Sequence, residues 1–532
     1  MTRWRIGLAA VLLLALGLRL WGIRYGLPYV YNSDESSHFV PRAVRFFDEG
    51  YNPHYFRNPP GFTYFVHVVL ALWFLGRDAV ADFAHDPSEA FTVARVATAL
   101  LGTAVVGIVY AIGARLFDRR AGLLAAALMA VAFLPVFYSH LALNDVPATL
   151  PLAVSLLGSV GIFLRGRLLD HAIAGLGLGF GAATKYTAGI ALVSLLAAVA
   201  IQLWTSTERR RTLAGLGVAA AASIGAFVLA NPYALVDFHE FHRGLTIQSR
   251  LAGRHKLGLT EESPLRYYLW TATWGLGWVP AIAAVAGAVL LVVRKQAAAL
   301  LLLPAPAVFL LYMATQERYF GRWLLPLFPF ACILAGYAVV AGADAIGRRW
   351  PRFLAPALGV ATVALTAQGL VYAVHNDLVL SRTDTRTFAR AWMVEHIPAG
   401  SQIVLEPAFP LRWLKDDGHA LWRRNTVNRA GEGYARRLRP SFIDEYVADG
   451  ACWVVRASTV SGRAFAEPER VPKSIDYYRE LDRRGQVAFH MSPYGDDPVP
   501  FNFDWSFDYY PRAYDRPGPE VTIYRLGGPG CG

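Results

Sequence analysis

The sequence predicts an all-α polytopic membrane bundle followed by a smaller C-terminal α/β domain, and three observations carry that prediction. The 532 residues are 55% hydrophobic and only 17% charged, with a mean hydropathy of +0.34, a balance too apolar for a soluble protein of this length. Apolar stretches long enough to cross a bilayer recur up to about residue 373. Beyond it charge and proline increase, and short strand-like runs alternate with helical patterns. The expected division is therefore a membrane domain over 1–373 and an α/β domain over 374–532.

Taken in order, the first apolar run, 6–23, follows Arg3 and Arg5, which places the N-terminus in the cytoplasm by the positive-inside rule. No small-residue cleavage site follows it, so it reads as a retained helix. Stretch 61–76 holds His67 and several aromatic residues and precedes an acidic segment. It reads as a juxtamembrane helix on the outer side. Ten further spans are expected near 91–113, 121–138, 147–164, 172–185, 187–204, 212–230, 265–293, 297–314, 323–344 and 353–373, about eleven in all. Segment 172–185 is short for a span. Arg165 and Arg167, "ERRR" at 208–211, Arg294 with Lys295, and "RRWPR" at 348–352 then fall inside. The last span delivers the α/β domain to the outside, with strands in "SQIVLE", "CWVVRAS", "QVAFHM" and "EVTIYRL" and helices in "DTRTFARAWMVEHI" and "SIDYYRELDRRG".

The net charge of +12 comes from short arginine clusters between apolar runs, which excludes the continuous basic face of a nucleic-acid binder. The topology gathers Asp34, Glu35, Asp145, Lys185, Arg318 and Arg322 on one side, the outer one. Ionisable groups beside a bilayer are costly unless they stay wet or serve a function. A carboxylate backed by apolar helices can accept a proton, and a cation on the same face can stabilise a departing phosphate. Base plus phosphate clamp is the equipment of sugar transfer from a lipid-phosphate carrier.

The stretches "NSDESSHFVPRAVRFFDEG", "FRNPPGFTYF", "LALNDVPATLP", "GAATKYTAG" and "ERYFGRWLLPLFPF" together resemble the polyprenyl-phosphate-dependent glycosyltransferases of the GT-C class. The branch they are most similar to is that of the bacterial relatives of protein O-mannosyltransferases and aminoarabinose transferases. The resemblance runs in order through most of residues 1–345. It implies Asp34 as the base toward an acceptor hydroxyl, with Glu35 and Asp145 orienting the substrates. Lys185 and Arg322 would stabilise the leaving phosphate of an inverting transfer, with Arg318 beside them. Relatives often carry Lys or His before the Pro-Pro pair, where this chain has Asn58; either Arg57 supplies the missing charge or the donor sugar differs. His38 and Asn58 are candidate substrate contacts. The implied partners are a polyprenyl-phosphate-linked sugar, an acceptor that is a protein, glycan or lipid, and the lipids of a plasma membrane, with the site and the α/β domain extracytoplasmic. No cofactor is expected, and because Asp34-Glu35 is not a DxD pair, no catalytic metal.

Other features carry less. "GLGLGFG" at 175–181 sits in an apolar segment, where Gly175/Gly179 and Gly177/Gly181 suit close helix packing rather than a nucleotide loop. Asp237, His239 and His242 have helical metal-ligand spacing, but no fourth ligand is evident. Cys332 reads as a small packing residue. Cys452 and Cys531 fall in a domain where a bridge is permitted, although two free thiols are the simpler expectation. The aromatic segment "FNFDWSFDYYPRAY" at 501–514 suits sugar stacking, interfacial placement or core packing. The competing function is a transporter or flippase of a lipid-linked or small anionic substrate. Transporters place ionisable groups at the bilayer midplane between repeated halves, and this chain shows no internal repeat.

Overall fold

Apolar runs of spanning length are helices here because a bilayer leaves backbone groups no partner but each other. The structure, a computed structural model, describes residues 2–294, 296–416, 419–425, 433–495 and 497–531; Lys295, counted above among the inside charges, lies outside them. Among the described residues, seven helical stretches are long and apolar enough to cross a membrane: Ser88–Leu116, Asp145–Arg165, Tyr186–Thr205, Arg209–Ala230, Pro264–Val293, Gly321–Arg349 and Pro351–His396. Each coincides with one of the eleven expected spans. The other four are helical but shorter, interrupted or more charged. Thr2–Leu20 carries Arg3, Arg5 and Arg19. Arg119–Val131 breaks at Ala132 before Phe133–Tyr138, and Leu168–Thr184 and Ala298–Ala314 fall short of 18 residues. Gly61–Trp73 has 13 residues, roughly 20 Å of helix, too short for a bilayer core of about 30 Å.

The glycines of 175–181 let three helices touch. A Cβ at Gly175 would lie 2.9 Å from Ala219 Cα, and one at Gly177 would lie 2.8 Å from Ser155 Cα. Leu168–Thr184 is thereby clamped between Arg209–Ala230 on one side and Asp145–Arg165 on the other. The span beginning at Pro264 contains a π turn over Thr273–Gly277. Gln368 repairs it, donating Nε2 to Thr273 O at 2.9 Å and accepting the Trp278 N–H at 2.9 Å.

The C-terminal α/β region contains strands β1 Gln402–Leu405, β2 Lys415–Asp416, β3 His419–Ala420, β4 Arg423–Arg424, β5 Trp453–Ala457, β6 Gly485–Met491 and β7 Val521–Leu526. Five form a mixed sheet in the order β4-β1-β5-β7-β6; β1 runs parallel to β4 and β5, and β7 is antiparallel to β5 and β6. Alternation sends Ile403, Leu405, Val455 and Ile523 to one face, against Ala389 and Met393 of helix Thr385–His396. Val404, Val454 and Leu526 face the other way, against Ser441–Ala448, Ser458–Ala466 and Pro472–Arg484. Cys452 and Cys531 are disulfide-bonded, contrary to the expectation of free thiols. The bridge joins the residue before β5 to the segment after β7, which antiparallel pairing has already brought together.

The aromatic segment 501–514 leaves this sheet and packs on the bundle. Tyr510 stacks on Tyr372 at 4.3 Å and meets Phe133 and Trp274, each at 5.1 Å. Trp505 lies 5.4 Å from Trp270 and Phe503 lies 5.3 Å from Phe320. Phe503, Tyr509 and Tyr514 belong to the main buried core with the membrane helices, and the segment also touches the α/β region, where Tyr514 meets Tyr494 and Arg463 lies over Phe503, so packing is observed against both.

Candidate active site

Asn32 starts the construction. It caps the short helix Ser33–Ser37, its Oδ1 accepting the N–H groups of Asp34 and Glu35, each at 3.1 Å. Successive helical side chains diverge by about 100°, so the two neighbouring acids enter different surroundings. Glu35 is fully buried. Arg95 grips it with two bonds, Nε to Oε1 at 2.7 Å and Nη2 to Oε2 at 2.8 Å, and the Ala142 N–H donates to it at 2.8 Å. Arg95 also donates to Ile23 O and Tyr25 O. Glu35 thus ties the first loop to helix Ser88–Leu116 and to the loop before Asp145, with no face left for a substrate.

Asp34 stays partly exposed. Arg322 Nη2 donates to its Oδ2 at 2.6 Å, and His38 Nε2 lies 3.9 Å from Oδ1. Burial alone would raise this carboxyl, but Arg322, then His38 and Lys256, override it and hold it at about 2. Asp145 opens helix Asp145–Arg165 and is ion-paired with Lys185. The preceding Asn144 donates to Thr184 O at 2.8 Å, which brings the two helix ends together. Lys185 stands where Leu168–Thr184 stops and the backbone becomes extended. Arg322 Nε lies 3.9 Å from Asp145 Oδ1, so Asp34, Arg322, Asp145 and Lys185 form one chain of alternating charge.

His38 continues the polar chain outward: its Nε2 is 3.4 Å from the Tyr55 hydroxyl, to which Asn58 Nδ2 donates at 3.3 Å. The Arg42 guanidinium lies 4.0 Å from the Tyr55 ring centroid. Burial lowers the His38 imidazole in spite of Asp34. Arg57, exposed, is on the same loop as Asn58, and Arg318, half-buried, is held by its N–H to Ala252 O at 3.0 Å. His239 and His242 are exposed, and Asp237 serves as a helix cap and accepts from Asn52. Among the described residues no cluster of His, Cys, Asp and Glu is arranged for a metal ion.

Residues 86–235, which include Asp145 and Lys185, match the family model of dolichyl-phosphate-mannose-protein mannosyltransferases. Over its whole length the chain superposes on ArnT from Cupriavidus metallidurans bound to undecaprenyl phosphate, covering 100% of this chain and 99% of that one at a TM-score of 0.56 and 15% identity. It also superposes on the apo oligosaccharyltransferase of Archaeoglobus fulgidus, covering 92% and 73% of the two chains at a TM-score of 0.55 and 14% identity. This is a GT-C fold. The chain resembles the polyprenyl-phosphate glycosyltransferases of that class both in the matched segment and in architecture. No curated protein matches it in sequence.

Within the GT-C fold three more groups reach the charged chain that motif reading passed over. Lys256, on the loop before the span at Pro264, lies over the rings of Phe320 and Phe503. Burial pushes its ammonium down to about 7, assisted by Arg463 and opposed by Asp34. Arg463, from helix Ser458–Ala466, lies over Phe503. Asp504 accepts the Gly321 N–H at 3.2 Å, next to Arg322, and burial raises its carboxyl to about 7. A signal for Lys256 existed: lysine is rare in this arginine-rich chain.

Proposed function

We propose that the protein is an inverting glycosyltransferase that moves a sugar from a polyprenyl-phosphate carrier to an acceptor hydroxyl at the outer face of the membrane. The observation that carries the reading is the convergence of Asp34, Arg322, Asp145 and Lys185, from four distant parts of the chain, into one alternating chain of charge. Lys185 and Arg322 take the carrier phosphate, with Arg318 and Arg57 adding positive potential around them. As the sugar–phosphate bond breaks, its electron pair goes to that phosphate, whose charge the two cations stabilise. The acceptor oxygen attacks from the opposite face, which inverts the sugar carbon, and its proton passes to Asp34. Asp145 holds Lys185 in place, Glu35 fixes the loop that carries Asp34, and His38 and Asn58 line the approach.

The resting value of about 2 for Asp34 makes it a weak base before substrate arrives. A phosphate that draws Arg322 away removes its strongest stabilising partner and leaves burial to raise it. Donor binding therefore creates the base. Asp34→Asn keeps the shape and removes the proton acceptor. Single-turnover transfer should fall by about 10²- to 10⁴-fold with donor binding retained, and a near-parental rate would remove Asp34 from the chemistry. Release of labelled sugar from its carrier separates transfer from transport, because a transporter leaves the carrier intact.

A further inference from the structure

Three cations and two aromatic rings form a ladder leading away from Asp34. The Arg322 guanidinium lies 5.3 Å from the Phe320 centroid, and Lys256 Nζ lies 5.1 Å from the same ring. Phe320 and Phe503 are 5.3 Å apart. Lys256 is also 4.9 Å from Phe503, and Arg463 is 4.7 Å from Phe503 on its way to Phe507 at 5.8 Å.

The three cations differ in how they are neutralised. Arg322 has Asp34. Among the described residues neither Lys256 nor Arg463 makes a side-chain hydrogen bond or ion pair, and Arg463 Nε is buried with no acceptor. Asp504, close by, makes no ion pair with either: one oxygen takes the Gly321 N–H and the other is buried without a hydrogen-bond partner. An aromatic face stabilises a desolvated cation less than an oxyanion does, so two such cations side by side are half of an interaction. Burial costs of this kind persist where a charged partner arrives to offset them.

We propose that Lys256 and Arg463 form a second oxyanion site, adjacent to Lys185 and Arg322 but separate from them, which holds a phosphate or carboxylate group carried by the acceptor. This rests on the donor assignment above only in giving Lys185 and Arg322 to the carrier. Placement favours the acceptor. Lys256 shares the Phe320 ring with Arg322, whose Nη2 donates to Asp34, the group that must meet the acceptor hydroxyl, whereas Lys185 is paired with Asp145. Next to Arg463, Ser461 and Gly462 line a cavity of about 520 Å³ together with Phe501, Tyr494 and Glu520, which gives the body of such an acceptor a place to lie.

The test uses the purified full chain, first saturated with polyprenyl monophosphate and then titrated with inorganic phosphate by calorimetry. The parent should still bind phosphate. Lys256→Met and Arg463→Met should each weaken that binding about tenfold or more while leaving polyprenyl monophosphate affinity unchanged, since each removes a charge-assisted contact. Lys256→Gln and Arg463→Lys serve if either Met variant fails to fold. Phosphate that only displaces the carrier, or that binds the variants as it binds the parent, overturns the proposal. So does a polyprenyl diphosphate that outbinds the monophosphate through Lys256, because the site would then belong to the donor. If the parent binds no polyprenyl phosphate, the donor reading fails by itself. The second site is then judged on carrier-free protein, where Lys256→Met must lose phosphate binding that Lys185→Met retains.

Discussion

Asp34 and Glu35 adjoin in sequence and diverge in every physical respect, and mutation should separate them cleanly. Removing one partner of a buried ion pair costs about 3–5 kcal/mol, because the survivor stays buried and uncompensated. Glu35→Gln strands Arg95 in this way. It should appear as a lower unfolding temperature and yield, with the turnover of the folded fraction close to parental. Lys185→Ala should instead weaken donor binding, by about 10- to 100-fold if its contact with phosphate is worth the usual 1.5–3 kcal/mol, as equilibrium binding of polyprenyl phosphate would show. Acid pH tests the gating of the base. Asp34 at about 2 in the free protein keeps the acid limb of kcat/KM very low, whereas loss of Arg322 to the phosphate moves the limb of kcat to higher pH, since protonation then disables a better base. Coincident limbs would mean that Arg322 stays on Asp34. Asp34, Asp145, Lys185 and Arg322 were legible in the sequence because each lies in a short polar stretch between apolar runs. Whether an acid meets Arg322 or the buried Arg95 depends on a 100° turn of a five-residue helix, and nothing in "SDESS" records which way the helix is rotated.

Among the elements, the sheet of the C-terminal region carries its own pH dependence. Glu406 follows β1 and is buried, accepting the Ala457 N–H at 2.7 Å and the Tyr478 hydroxyl at 2.8 Å. Burial raises its carboxyl from 4.5 to about 7 against those bonds. A raised folded value means that the folded state holds its proton longer than the unfolded one, so the stabilisation is complete below 4.5 and declines as pH rises through about 7. Glu406→Gln should remove that slope and stabilise the domain at pH 8 by roughly 3 kcal/mol, the equivalent of the shift; thermal melts at pH 5 and 8 measure both. Mass spectrometry of unreduced peptides should find Cys452 linked to Cys531, leaving the buried Cys332 as the sole thiol. β1, β5, β6 and β7 were legible because alternation over four or more residues is a pattern. The two-residue strands β2, β3 and β4 are too short to show one, and only their neighbours define them.

At the scale of the whole molecule, the arginine clusters predict an N-terminus inside. Cysteines introduced in the 78–90 loop and after residue 382 should react with an impermeant thiol reagent from outside, and one at Arg209 should not. The reverse pattern would place the charged site in the cytoplasm. Most of the bundle was legible from hydropathy, because the length of an apolar run is dictated by bilayer thickness. The break at Ala132 and the docking of 501–514 were not, since a ring that packs on a distant helix looks in sequence like a ring that packs at home.

That docking makes the two halves poor candidates for exchange. A chimera cut at residue 374, joining this bundle to the α/β region of a distant relative, would carry Arg322 and Phe320 but lose the native Phe503 and Tyr510 that seat against Phe320, Trp274 and Tyr372. Lys256 would lose one of its two rings. Residues 501–514 therefore act as a seam inherited with both halves, touching Arg463 and Tyr494 on one side and the bundle on the other, and a graft that respects contact rather than chain order has to keep both faces of it native.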